Sequence, residues 1–317
     1  MSPRRVAMLS LHTSPLAPLG QGDGGGMNVY VRALGPALAA AGLECDLITR
    51  AEHPGTPRVV RIAPGVRVVH LDAGPHHPIA KSALSAHHDE LVDAAARWLE
   101  GPGAAGVLHA HYYASGAVAH ELKHRLGIPV VTTFHTLARA KQDVGIHDDP
   151  ADRAAVEAAI VACADAVVAS TPEERRLLVD HYQAPPDRVE VIPPGVDHTV
   201  FRPGSGAHLR RQWGVGADPV LLVAGRIQPL KGFDLALRTL AALGHPVRLR
   251  LVQLLLNGMG AVADLAAQPG MGTSGQLYHH LRELEATGWL HSSQRGRYAL
   301  RPERIVALMA VLTAARQ

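Results

Sequence analysis

The nine residues Gly20-Gln21-Gly22-Asp23-Gly24-Gly25-Gly26-Met27-Asn28 set five glycines between an apolar run, Val6–Leu11, and a segment whose Val31, Leu34 and Leu38 recur at helical spacing. The order is strand, glycine loop, helix. Glycine lets the backbone reach positive φ and approach a ligand closely. A helix N-terminus behind such a loop adds unpaired N–H groups and positive dipole charge. An anion is therefore expected at this first strand–helix junction.

Further along, apolar runs and helical patterns alternate. Runs at Cys45–Thr49, Val66–Leu71, Gly106–His111, Pro129–His135, Ala166–Ser170 and Val189–Pro193 are separated by helical patterns near 87–99, 114–126 and 152–164. That alternation predicts an α/β domain with a Rossmann-like parallel sheet and helices on both faces. Ligands of open sheets bind beyond the strand C-termini. Gly20–Asn28, His109–Tyr113, Phe134–Thr136 and Ser170–Pro172 all fall at such ends, which predicts one common cleft. The loop contains G-x-G-x-x-G, but eight residues separate Leu11 from Gly20, and the second strand ends in Thr49-Arg50 where a ribose-binding acid belongs. Dinucleotide binding is disfavoured on both counts.

At 317 residues and 47% apolar content the chain can bury a full core, and its length suggests two domains. Its two cysteines, Cys45 and Cys163, sit in apolar periodic segments outside any metal spacing. They read as buried thiols of a reducing cytoplasm. Arg4-Arg5 precede too short an apolar run for a secretion signal, and no run approaches bilayer-spanning length, so a soluble cytoplasmic protein is expected. Charge is uneven: residues 1–246 are near neutral, whereas 247–317 carry 8 Lys+Arg against 4 Asp+Glu. That tail suits nucleic acid, although a solvated face explains it as well.

The run HTSPLAPLGQGDGGGMNVYV, His109-Ala110-His111-Tyr112, Thr133–Ala138, Ser170–Glu174, Ile192–Phe201 and Val223–Lys231 together resemble the retaining GT-B glycosyltransferases. Within them the likeness is to those moving N-acetylglucosamine from a UDP-sugar to an inositol phosphate in mycothiol biosynthesis. It covers residues 4 to about 240, with several separate motifs in order. The resemblance implies a Rossmann-like acceptor domain over 1–200 and the first β-α unit of the donor domain over 201–239. It sets Gly25, Gly26 and Asn28 against donor diphosphate and acceptor, His135 beside the donor sugar, and Lys81, Tyr112, Thr136 and Arg153 around the inositol phosphate. Arg226 and Lys231 would face the leaving diphosphate. The resemblance implies no cofactor, and it implies that the acceptor hydroxyl attacks while the diphosphate leaves on the same face, so that no side-chain nucleophile is required and catalysis rests on stabilising the departing charge. As bare residues, Lys81 and Arg153 read equally as surface charges and His135 as a core histidine. Tyr113 stands where the family usually has tryptophan.

After residue 240 the pattern changes. The family's second domain carries a glutamate pair in E-x7-E spacing, and no such segment follows here. Residues 240–317 instead resemble the ArsR-like winged helix-turn-helix regulators. Leu251, Leu254 and Leu255 form one stripe, Val262–Ala266 a short helix, and Leu277, Leu281 and Leu284 a third buried face. Gln276, His279 and His280 are left for the major groove of double-stranded DNA, with Arg295 and Arg297 on a hairpin wing for phosphates. A module docking on protein fits the same pattern. Metal sensing does not, since the segment has no cysteine and adjacent His279-His280 diverge on a helix. A terminal helix, 304–316, offers a dimer face. Three readings stay open: a residual glycosyltransferase, a DNA-binding regulator whose cleft senses a sugar or inositol phosphate, and a fusion product retaining neither activity.

Overall fold

A computed structural model describes residues 5–18, 24–216 and 233–301. The chain divides into two compact units, Met1–Arg202 and Pro203–Gln317. In the first, β1 (Arg5–Leu9) leads through the glycine loop to α1 (Gly26–Ala40). Then come β2 (Glu44–Arg50), β3 (Val59–Ala63), β4 (Val66–Leu71), a 3₁₀ turn (Lys81–His87), α2 (His88–Leu99), β5 (Val107–His111), α3 (Tyr113–Leu126) and β6 (Val130–Thr133). The unit continues with α4 (Ala138–Asp143), α5 (Arg153–Cys163), β7 (Ala166–Ala169), α6 (Pro172–Tyr182) and β8 (Val189–Val191).

These strands form one sheet in the order β3-β4-β2-β1-β5-β6-β7-β8. All neighbours pair in parallel except β3 with β4. The expected parallel sheet is present, with the antiparallel edge strand β3 as an addition. Residues of β1 alternate between the two faces. Val6 and Met8 pack with Val31 of α1, Leu47 and Val66, whereas Ala7 and Leu9 pack with Leu91 and Trp98 of α2 and Val118 and Leu122 of α3. Full burial of such side chains stabilises by about 1.5–3 kcal/mol each, which is why helices cover both faces. Strand order reverses at β1, with β2 on one side and β5 on the other. In open α/β sheets the ligand crevice lies at such a switch point, here beyond the C-termini of β1 and β5.

The second unit holds α7 (Ala207–Gln212), α8 (Phe233–Leu243), α9 (Pro246–Leu256), α10 (Val262–Ala266), α11 (Ser274–Ala286) and the antiparallel strands β9 (Leu290–Gln294) and β10 (Arg297–Leu300). Leu251, Leu255, Leu265, Leu277, Leu281, Leu284 and Trp289 share one core. The hairpin is tied back to the residues before α10, where Tyr298 N donates to Gly260 O and Val262 N to Gly296 O, each at 2.9 Å. Arg226, Lys231, Gly20, Gly22 and the terminal helix over 304–316 lie outside the described residues.

Candidate functional site

The segment after β1 and the start of α1 form the first wall of the crevice. Asn28 is 1% exposed. Its Oδ1 accepts from Gly25 N at 3.0 Å, and its Nδ2 donates to Thr13 Oγ1 at 2.9 Å and Ser14 O at 2.6 Å. Oxygen and amino group are both engaged by the protein. Asn28, expected against the ligand, instead ties the 13–14 segment to the glycine loop. Gly26 is exposed at the helix start and Gly25 half-buried before it.

The second wall comes from β5 and β6. Tyr112, the first residue after β5, and His135, the second after β6, have φ of 74° and 63°. Left-handed backbone at a non-glycine residue costs about 1–3 kcal/mol and persists where the surroundings enforce it. His111 Nδ1 lies 3.1 Å from His135 Nε2, His109 Nε2 lies 2.9 Å from Thr133 Oγ1, and the Tyr30 ring meets His135 edge-on at 5.2 Å. The His12 ring lies 4.3 Å from that of Tyr112. Burial holds His12 at a pKa of about 3 and His109 and His135 at about 4, and pushes His111 well below its ordinary value. All four are neutral near pH 7. The His111–His135 contact is then one N–H donor against one lone pair.

Arg153 joins three elements beneath this wall. It is 1% exposed. Its Nε donates to Glu157 Oε1 at 2.7 Å and its Nη1 to Asp149 Oδ1 at 2.7 Å and the Tyr112 hydroxyl at 3.1 Å. Its Nη2 donates to Thr136 O at 2.7 Å and Thr136 Oγ1 at 3.0 Å. Guanidinium has five N–H groups, and each has an acceptor. The ring faces of Tyr112 and Tyr113 lie 4.8 Å from its Cζ. Arg153, Tyr112 and Thr136 are thus brought together as expected, but Arg153 is neither a surface charge nor open to a phosphate. It positions the two hydroxyls. Lys141, 8% exposed, extends the network through Asp148 and Asp149.

Lys81 is half-buried on the 3₁₀ turn and makes no hydrogen bond or ion pair among the described residues. Its charge acts on His12 and Asp148, which brings it to the same region. Sequence reasoning missed His12, His111, Lys141 and Asp149. Asp149 and Glu157 had a readable signal, each four residues from Arg153. A cavity of about 410 Å³ lies elsewhere, beside β4 and α2, lined by Arg58, His70, Asp72, His76 and Arg97. None of the expected ligand-binding residues lines it.

In the second unit, Gln276 does not stand free. Its Oε1 accepts from Thr273 N at 2.9 Å and its own N–H meets Thr273 Oγ1, a capping box that starts α11. His280 is half-buried, its ring 4.4 Å from that of His245. His279, Arg295 and Arg297 are exposed.

A parallel sheet with helices on both faces and a crevice at its switch point has the architecture of a GT-B N-terminal domain. The chain belongs to the glycosyl transferase 4-like family, whose model matches residues 25–195. It is 45% identical over 246 residues to a D-inositol 3-phosphate glycosyltransferase of Acidothermus cellulolyticus, covering 76% of this chain and 55% of the relative. To the protein of that name in Thermobispora bispora it is 38% identical over 306 residues, covering 91% and 72%. Among solved structures, sucrose-phosphate synthase from Thermosynechococcus elongatus aligns with a TM-score of 0.68 and 31% identity over 75% of this chain and 59% of that one. The chain spans about half the length of the first curated relatives it matches. No helix among the described residues is long and apolar enough to cross a membrane.

Proposed function

We propose that residues 1–200 are the acceptor-binding half of a retaining sugar transferase, whose crevice takes a phosphorylated cyclitol of the inositol phosphate class with a UDP-sugar as donor. The observation that carries this reading is the pair of left-handed residues, Tyr112 and His135, at neighbouring strand ends, with the Tyr112 and Thr136 hydroxyls held by Arg153. A hydroxyl oxygen that accepts from a guanidinium turns its hydrogen away and becomes a stronger donor. Tyr112 and Thr136 then offer O–H groups to a phosphate, and Lys81 supplies charge. Neutral His135 suits a sugar hydroxyl. Gly25 and Gly26 suit close approach by the diphosphate. Residues 201–239 fit the first donor-domain unit, with Arg226 and Lys231 stabilising the charge that leaves. The relatives named D-inositol 3-phosphate glycosyltransferase support the acceptor class.

Calorimetry with inositol phosphate on this chain tests the proposal. Binding in the wild type that falls at least tenfold in Lys81→Ala supports it, and no binding, or binding indifferent to Lys81, rejects it. Sustained acceptor-dependent UDP release that Lys231→Ala abolishes would make the chain a working transferase.

A second reading concerns residues 240–317 as a winged helix-turn-helix for double-stranded DNA. Tyr278, His279 and Arg282 are exposed on α11, and Arg295 and Arg297 on the hairpin, with the hairpin bonded to residues 260–262. This favours a duplex-binding surface on α11 and the hairpin.

A further inference from the structure

We propose that His120, His124 and Cys163 form a site for a thiophilic divalent transition metal, of which zinc is the natural type, separate from the crevice. Helix geometry brings the first two together, because positions four apart on α3 lie one above the other on one face. Their rings are 4.9 Å apart. The third arrives from α5, which ends at Cys163. Its Sγ lies 3.3 Å from His124 Nε2, and one ligand atom from each residue falls within 4.8 Å of the others.

The approach of the two helices has a local cause. Gly116 of α3 faces Ile160 of α5, and a Cβ at Gly116 would lie 2.8 Å from Ile160 Cδ1. His120 is four residues beyond Gly116, and Cys163 three beyond Ile160, so the close contact carries the ligands into register. Lys123 then pins the end of α5. Its Nζ donates to Cys163 O and to Asp165 Oδ2, each at 2.7 Å, while Asp165 also accepts from Val130 N at 2.8 Å. Asp165 thereby offsets the ammonium charge near the site.

Two imidazoles and a thiolate are the donor set of zinc and cobalt(II). Tetrahedral coordination at about 2.0–2.1 Å for nitrogen and about 2.3 Å for sulfur needs ligand atoms about 3.3–3.8 Å apart, within rotamer adjustment of what is present. The His120 Nδ1 is buried and has no partner among the described residues. His124 is exposed and the other two half-buried, so the metal has an entry path and a fourth position for water. Binding exchanges the Cys163 thiol proton for the metal. Both ligand-bearing segments precede strands, β6 and β7, so the site lies toward the edge of the sheet opposite the crevice and would clamp α3 to α5. Cys163 was expected to be a buried thiol, and it is half-buried.

Cobalt(II) titration of the metal-free full chain tests the site. One equivalent should produce thiolate-to-cobalt charge-transfer absorption in the near ultraviolet with intense tetrahedral d–d bands, and zinc should displace it. The signal should persist in Cys45→Ala, vanish in Cys163→Ser, and weaken at least tenfold in His124→Ala, a surface substitution that leaves the packing intact. Absence of the charge-transfer band in the wild type, its persistence in Cys163→Ser, or indifference to His124→Ala would overturn the proposal.

Discussion

Arg153 holds Thr136 twice, donating from one nitrogen to the carbonyl and hydroxyl oxygens of that single residue at 2.7 and 3.0 Å. The same guanidinium pairs with Asp149, 7% exposed, and Glu157, fully buried. Replacing it leaves Glu157 buried without its cation, while Asp149 keeps only Lys141. Arg153→Met should destabilise by about 3–5 kcal/mol, the range for removing one partner of a buried pair. Arg153→Lys should recover only part of this, because a single ammonium cannot serve the fork. Urea unfolding of the three proteins measures it, and a loss below about 1 kcal/mol in Arg153→Met would show the network to be dispensable.

Acid should unfold the first unit early. His12, His109 and His135 have folded pKa values of about 3, 4 and 4, below the unfolded value of 6.5. Between pH 6.5 and about 4 the unfolded chain takes up protons that the folded chain refuses. Stability is therefore full above pH 6.5, falls as pH drops through that window, and levels off below the folded values. Each histidine contributes at most about 1.4 kcal/mol per pH unit. Urea midpoints measured from pH 7.5 to 4.5 should fall, and His109→Gln should flatten the slope. A midpoint that is constant from pH 7 to 5 contradicts this.

Gly260 has no room for a side chain. A Cβ there would lie 2.7 Å from the carbonyl oxygen of Tyr298, which is backbone and cannot step aside. The Tyr298 N to Gly260 O bond that anchors the hairpin is at the same place. Gly260→Ala should destabilise the second unit by about 1–3 kcal/mol, as overpacking does. Gly258→Ala provides a contrast in kind, since its φ of +86° strains the backbone but its Cβ meets nothing within 4 Å. Amide exchange across residues 290–300 should accelerate in Gly260→Ala alone.

The DNA reading makes a separate claim on the hairpin. Arg295→Ala with Arg297→Ala should weaken binding to every duplex and flatten the salt dependence, because phosphate contacts release counterions. His279→Ala should change sequence preference, with about 1–3 kcal/mol lost for a good base contact. Gln276→Ala should loosen the start of α11 before it alters preference. No association with duplex DNA at low salt sinks the reading.

Much of the sheet was legible because buried parallel strands are short apolar runs between punctuated helices. β3 was not, since Val59–Ala63 is a partly exposed edge strand without that signature. The individual roles of side chains were harder to read. An asparagine in a glycine loop looks equally like a ligand contact and a cap, and only the partners of Asn28 decide between them. Arg153 appeared in sequence as a cation near a motif, while its acceptors come from three separate segments. Cys163 and His124 are 39 residues apart, so no spacing rule connects them.

The five filled donors of Arg153 also bear on how this crevice can change over evolutionary time. A side chain with every bond committed cannot be recruited to a new ligand without a rearrangement of Tyr112, Thr136, Asp149 and Glu157 together. Single substitutions that retune specificity are therefore expected at Lys81 and in the glycine loop, where neighbours can change one at a time. The buried network would persist as a shared frame among proteins that accept different phosphorylated alcohols.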